Sequence, residues 1–190
     1  WRYMTTTGSP VRNFKPLSFR GGPPGAWDNP EARHDIYPIN GSGHTYTADC
    51  NGTDKGNNWN NAYNYPLNSW NRVEYYIDHG DVGVANGKFL YYFDGILRTK
   101  TENTMFRSSN CTWSNLYIHG YFARETNDND AAAYIWIDNV YIDTTQARVE
   151  LSDSPTWNTA TISHREIQIP SAWSDTSITI TLNQGSFSNF

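Results

Sequence analysis

Hydrophobic and polar residues alternate most clearly between residues 70 and 143. Within 70–77 the even-numbered and odd-numbered side chains fall on opposite faces of a predicted strand. Residues 88–93 predict the returning strand, and Asp94-Gly95 is a turn signal that begins the next hairpin. Two further strands are predicted over 113–123 and 133–143. Because no long stretch has a helical period with caps, the pattern predicts an all-β chain.

Outside this region the alternation is weaker. Short strands are predicted over 33–37 and 43–48, and the Asn-rich residues 49–69 predict a loop long enough to be functional or mobile. In the tail, strands are predicted over 147–151, 165–169 and 177–182, the last with alternating apolar residues on one face. Three strands form one thin sheet, so the tail must pack on the main body, on a missing segment or on a neighbouring subunit.

Three motifs carry a family resemblance: WNRVEYYID, GKFLYYFDG and IWIDNVYID, in that order. Together they resemble the concanavalin-A-like, laminin-G-like superfamily of jelly rolls. The resemblance implies a jelly-roll β-sandwich of antiparallel strands over residues 1–143, a fold used mostly outside cells to bind carbohydrate. Residues 144–190 resemble the beginning of an immunoglobulin-like module of secreted polysaccharide-active proteins. They are expected to form a small, partial C-terminal β extension, since a whole module needs further strands.

Composition and charge limit the classes of partner that the chain is expected to bind. The 190 residues fit one domain, or one with a small appendage, and the 15% aromatic content indicates a folded chain. A net charge of -5 argues against nucleic acid and anionic membrane, and no apolar run is long enough to insert into a bilayer. No signal peptide is visible and the chain begins with Trp1 rather than Met, so a processed or truncated product is expected. The protein is expected to be secreted or at the cell surface.

The two cysteines, Cys50 and Cys111, both lie in polar, loop-like surroundings. Buried free cysteines usually have apolar neighbours, so a disulfide between them is predicted, with two unrelated thiols as the alternative. A bond closing a loop of about 60 residues would stabilise the fold by about 4 kcal/mol and would imply an oxidising compartment. Glycosylation sequons occur no more often than chance supplies, and they permit modification without arguing for it. They lie at Asn40, Asn51 and Asn110.

A polysaccharide lyase is one functional hypothesis. Arg72, Glu74 and Tyr76 form a row on one strand face, and His119 and Tyr121 form a second row. Arginine pairs with a uronate carboxylate and tyrosine can act as acid or base, so Arg72, His119 and Tyr121 would be the catalytic set. The arrangement resembles jelly-roll lyases but lacks their Arg-x-Glu-x-Arg, Gln-x-His and Tyr-x-Lys rows. The simpler interpretation is an ion pair of Arg72 with Glu74 on a solvated face.

Other chemistry has weaker signals. A glycosidase needs two carboxylates across a cleft, and the Glu-x-Asp-x-x-Glu motif of related hydrolases is missing from the sequence. No cofactor is required, although a structural calcium is possible, because carboxylate oxygens suit that ion. These residues could equally be turn formers. The candidate ligands are Asp128, Asp130 and Asp138, with Asp81 as a further one.

Aromatic residues in the predicted loops offer a different kind of site. Trp27, Trp59, Tyr63 and Tyr65 could stack on sugar rings, or they could cap the ends of the core. The leading hypothesis is a non-catalytic extracellular protein that binds a polysaccharide or glycan through these rings, with Arg72, Glu74 and Tyr76 as further contacts. The alternatives are a structural subunit of an extracellular filament or surface assembly, self-associating through its C-terminal strands, and a lyase acting on a uronate polymer.

Overall fold

The fold is seen in a computed structural model, and its described part is all-β, as predicted. The described residues are 2–7, 13–21, 28–37, 42–48, 54–58, 70–111, 114–123, 133–138, 140–155, 165–185 and 187. The strands are β1 (Arg2–Thr7), β2 (Asn13–Gly21), β3 (Asp28–Tyr37), β4 (Ser42–Ala48), β5 (Asp54–Asn58), β6 (Asn71–Asp78), β7 (Gly87–Phe93), β8 (Ile96–Thr104), β9 (Asn115–Ala123), β10 (Ala133–Asp138), β11 (Val149–Ser152), β12 (Arg165–Trp173) and β13 (Ile178–Thr181).

These strands form three sheets in which every pairing is antiparallel. The first sheet has the order β10-β1-β6-β7-β8, the second β5-β4-β3-β2-β9, and the third β11-β12-β13. The first two sheets meet where the rings of Phe19 on β2 and Tyr75 on β6 lie 6.3 Å apart between centroids. A jelly-roll arrangement of the whole chain stays a prediction.

Most of the buried apolar side chains among the described residues lie on one face of the first sheet. Val73, Phe89, Tyr91 and Phe93 are each at most 3% exposed. Val73 pairs with Phe93 across the strands, and Tyr75 pairs with Tyr91, so the odd-numbered residues of β6 and β7 share this face. The alternation along 70–77 therefore separated the two faces of β6 correctly, because side chains of a strand point to opposite faces at successive positions.

The hairpin between β7 and β8 forms at the predicted turn. Asp94 and Gly95 have φ angles of 48° and 77°, the left-handed conformation that a two-residue type I′ turn requires. The turn is also tied to β6, because the Arg72 amide donates to Asp94 Oδ1 at 2.7 Å and the Asp94 amide donates to the Arg72 carbonyl at 2.8 Å. Asp94 thus closes the hairpin of β7 and β8 and also holds the start of β6 beside the end of β7.

Several boundaries differ from the sequence-based expectations. The predicted loop over 49–69 contains β5, which pairs with β4 although its residues have low strand propensity, because cross-strand pairing overrides that preference. The strand predicted over 133–143 ends at Asp138. β1 and β2 were not predicted, since 1–21 alternates poorly, yet they pair with β10 and β9.

Cysteine and sequon positions are only partly described. Cys111 is disulfide-bonded and no described cysteine is free, whereas Cys50 lies outside the described residues, so the pairing of the two stays a prediction. Asn110 is exposed, and Asn40 and Asn51 lie outside the described residues. Nowhere in the described ranges is there a helix with the length and apolarity needed to cross a bilayer.

Candidate functional site

A cluster of arginine and glutamate side chains joins β6 to the C-terminal sheet. Arg72 contacts Glu74 on its own strand through Nε at 2.9 Å, and its Nη1 donates to Glu150 Oε2 on β11, also at 2.9 Å. Its Nη2 also bonds the other Glu150 oxygen, so the pairing with Glu150 is bidentate. This fork geometry gives arginine–carboxylate pairs both strength and fixed orientation.

Arg165 Nη1 lies 3.6 Å from Glu150 Oε2, and Arg148 joins the cluster from the other side. Its Nη2 donates to Glu74 Oε2 at 2.6 Å and its Nε to Glu150 Oε1 at 2.5 Å. Arg72-Val73-Glu74 and Arg148-Val149-Glu150 are the same tripeptide, and each arginine pairs with the glutamate of the other. The two tripeptides therefore lock β6 to β11 by reciprocal ion pairs.

Burial and charge together set the ionisation of this cluster. Burial alone would raise the pKa of Glu150, whose side chain is 3% exposed, but hydrogen bonds and charge from Arg72 and Arg148 outweigh burial and lower that pKa to about 2. The pKa of Arg72 is raised, since pairing with Glu150 and Glu74 outweighs its burial. Arg72 and Glu150 therefore stay charged near neutral pH.

A cleft with a volume of about 260 Å³ opens beside this cluster. β1 pairs with β6 only at Arg72 and Asn71, so beyond Arg72 none of the described strands covers that edge of β6. Side chains from both faces of β6 line the cleft, as expected only at a strand edge. The lining residues are Phe19, Arg72, Val73, Glu74, Tyr75, Tyr76, Ile77, Tyr92, Leu116, Ile118, Val140, Tyr141, Ile142, Asp143, Thr144, Thr145, Gln146, Arg148 and Ile167.

Three half-buried tyrosines give the cleft its aromatic character. Tyr76 and Tyr92 lie on the same face of the first sheet, and Tyr141 follows β10 in the chain. The Tyr141 hydroxyl donates to Asp143 Oδ2 at 2.5 Å, which raises the tyrosine pKa and lowers the aspartate pKa. Gln146 Nε2 approaches the Tyr92 hydroxyl at 3.5 Å. The cleft thus combines aromatic rings with neutral hydroxyl and amide groups.

Three of the predicted binding residues, Arg72, Glu74 and Tyr76, come together here. The expectation of an Arg72–Glu74 pair on a solvated face is wrong in one respect. The pair forms, but its side chains are only 14% and 16% exposed, because the C-terminal sheet covers them and supplies Glu150 and Arg148.

The remaining predicted residues are scattered or outside the described part. His119 and Tyr121 lie on β9 in the second sheet, whereas Arg72 lies in the first sheet. Asp138 ends β10, and Asp81 bonds the Asn86 side chain at 2.8 Å. No group of three metal-binding side chains occurs among the described residues. Outside the described residues lie Trp27, Trp59, Tyr63, Tyr65, Asp128 and Asp130.

The sequence-based prediction missed several residues of the site, among them Tyr92, Tyr141, Arg148 and Glu150. For Tyr92 the signal was partial: alternation along 87–93 separates it from the face of Phe89, Tyr91 and Phe93, while the register that places it opposite Glu74 comes from the pairing of β6 with β7. For Arg148 and Glu150 the signal was the repeated Arg-Val-Glu tripeptide, whose opposite charges pair across 74 and 78 positions. The cluster joins residues on both sides of the predicted domain boundary between 143 and 144. That boundary stays a prediction.

Comparison with known proteins does not assign the chain to a family. No protein family matches its sequence, and no curated protein is similar to it. The resemblance to concanavalin-A-like jelly rolls therefore rests on the motifs of the sequence alone.

Proposed function

We propose that the protein is a non-catalytic, secreted or cell-surface carbohydrate-binding β-sandwich whose binding site is the cleft beside β6. The observation that carries the proposal is the convergence of Tyr76, Tyr92 and Tyr141 on one cleft, next to an edge of β6 that no described strand pairs with beyond Arg72. Aromatic rings offer apolar faces to the C–H faces of sugars, while tyrosine hydroxyls and strand-edge backbone groups match sugar hydroxyls. The all-β fold and the motif resemblance agree with this function.

The size of the cleft supports a small binding unit. Sites for drug-sized ligands usually have volumes of about 300–1,000 Å³, and the cleft at about 260 Å³ lies just below that range. A single sugar unit of a longer chain fits this volume better than an extended oligosaccharide. The open side of the cleft, along the β6 edge, would leave the rest of the polymer in solvent.

Binding should depend on the cleft tyrosines. We expect Tyr141→Ala to lower the affinity for the polysaccharide by at least about tenfold, since the ring supplies apolar contact area that alanine lacks. The loss is measured as weaker retardation in polysaccharide-containing gels. Tyr141 is suited to this test because it lies outside the strands. Isothermal titration with soluble oligosaccharides gives the affinity directly.

The matched control is Trp173→Ala. Trp173 is a half-exposed aromatic residue on β12 that does not line the cleft. The Trp173→Ala variant should bind the polysaccharide as the wild type does. Retardation by no polysaccharide in a broad panel would refute the proposed function, and loss of binding in Trp173→Ala alone would move the site to the C-terminal sheet.

A second candidate function, a subunit of an extracellular assembly, is favoured by one observation. β13 is an edge strand of the third sheet, and Trp173, Ile178 and Leu182 beside and on it are 51%, 44% and 57% exposed. An apolar edge without charge is a template for pairing with another chain. The lyase hypothesis has less support, because Arg72 is held by two glutamates instead of being available to a uronate.

A further inference from the structure

The guanidinium groups beside the cleft are occupied by internal partners. All three nitrogens of Arg72 face carboxylates. Both Nη atoms donate to Glu150, and Nε lies 2.9 Å from Glu74 Oε1 as an ion pair. Arg148 uses Nε on Glu150 and Nη2 on Glu74. An anionic ligand would therefore have to displace a glutamate from each arginine before it could form a bidentate pair.

Displacing these glutamates is strongly unfavourable. The Glu150 side chain is 3% exposed and that of Glu74 is 16% exposed, so either carboxylate would be left in a poorly solvated place without its partner. Removing one partner from a buried ion pair leaves an uncompensated charge, which costs more than the pair itself contributes. The cluster therefore resists exchange of a glutamate for a carboxylate of a ligand.

The cleft as a whole also offers no excess positive charge. Its charged lining residues are Arg72 and Arg148 on the positive side and Glu74 and Asp143 on the negative side, two against two. The remaining polar groups, such as the Tyr92 hydroxyl and the Gln146 amide, are neutral donors and acceptors. These groups suit sugar hydroxyls, which are neutral as well.

We propose that the cleft selects an uncharged sugar unit and discriminates against uronates because reciprocal pairing of the two Arg-Val-Glu tripeptides already engages both arginines that line it. This inference rests on the proposed carbohydrate-binding function. It assigns Glu74 and Glu150 the role of internal carboxylates that occupy the positions a uronate carboxylate would take. Specificity thus comes from an occupied anion position as well as from the tyrosine rings.

A gel-retardation panel on the full chain separates this inference from the function on which it rests. The neutral probes are a glucan, a mannan, a xylan and a galactan, and the anionic probes are alginate and polygalacturonate, all at about 0.15 M salt to screen non-specific attraction. We expect retardation by at least one neutral polymer and by neither uronate polymer. Equal or stronger retardation by a uronate polymer overturns the inference and leaves the carbohydrate-binding function standing. Binding to none of the polymers overturns both.

A gain-of-function variant tests the physical cause. Glu74→Gln keeps the shape and removes one internal carboxylate, which frees donors of Arg72 and Arg148. We expect its affinity for alginate or polygalacturonate to rise by at least about tenfold over the wild type. Glu102→Gln, which removes the same negative charge from a more exposed pair away from the cleft, serves as the control. A folded Glu74→Gln protein without this gain contradicts the inference, and if that variant does not fold, the wild-type panel decides alone.

Discussion

Arg72 is on the polar face of β6, yet its guanidinium is largely shielded because the C-terminal sheet lies over it. The sequence showed the Arg72–Glu74 spacing and therefore the local pair. It did not show that a second, identical tripeptide would supply opposite charges from 74 and 78 positions away, since pairing over such distances depends on the fold. The local half of the cluster was thus predictable from alternation, whereas the partners from β11 were not.

Glu150 gives this cluster a defined pH dependence. Its pKa is about 2 in the folded protein, against 4.5 as its ordinary value. Because the folded pKa is the lower one, the ionised group stabilises the fold fully above about pH 4.5, and the stabilisation is lost as the pH falls toward 2. The difference in pKa corresponds to about 3 kcal/mol of unfolding free energy.

Urea unfolding of the wild type and of Glu150→Gln over about pH 2–6 measures this contribution. The wild type should lose more stability than the variant over the acid range, since glutamine does not titrate. Glu102→Gln is the matched control, because Glu102 forms a more exposed pair with Lys88 and Lys100. Parallel curves for the wild type and Glu150→Gln would contradict the prediction.

At the scale of elements, the hairpin of β7 and β8 was predicted because its information is local. Alternating apolar residues followed by Asp-Gly specify strand, turn and register within a few positions. β5 was missed for the opposite reason. Its sequence DKGNN has little strand propensity, and it is a strand because β4 provides a partner at Tyr46 and Thr47. Edge strands of this kind are determined by neighbours, so their own residues carry little signal.

The turn at Asp94-Gly95 provides a test at this scale. Gly95→Ala should lower the free energy of unfolding by about 1–2 kcal/mol, because a residue with a β-carbon is strained at a φ of 77°. Asp94→Asn is the control, since asparagine favours this turn position and keeps an oxygen to accept from the Arg72 amide. Urea denaturation gives both values. A Gly95→Ala protein as stable as the wild type would show that the turn relaxes to another conformation.

At the scale of the whole molecule, the C-terminal sheet has two different faces. One carries Glu150, through which the sheet is held to β6. On the other face Trp173 pairs with Ile178, and both are about half exposed. The tail was predicted to pack against another part of the chain, a missing segment or a neighbouring subunit. The ion pairs show what one face of the C-terminal sheet packs against, but not what covers the other face. Cutting the chain after Asp143 would therefore also expose Arg72 and Glu74.

A point substitution therefore tests self-association better than truncation. β13 reads ITIT, an edge strand with high strand propensity and without charge, the kind of edge that pairs with another chain unless a charged residue blocks it. If the assembly function holds, the full chain should associate in sedimentation velocity as its concentration rises, while Ile178→Lys should stay monomeric. Val82→Lys adds the same charge at an equally exposed position between β6 and β7 and should associate as the wild type does. A wild type that stays monomeric over a wide concentration range would end the assembly alternative and leave carbohydrate binding as the one proposed function.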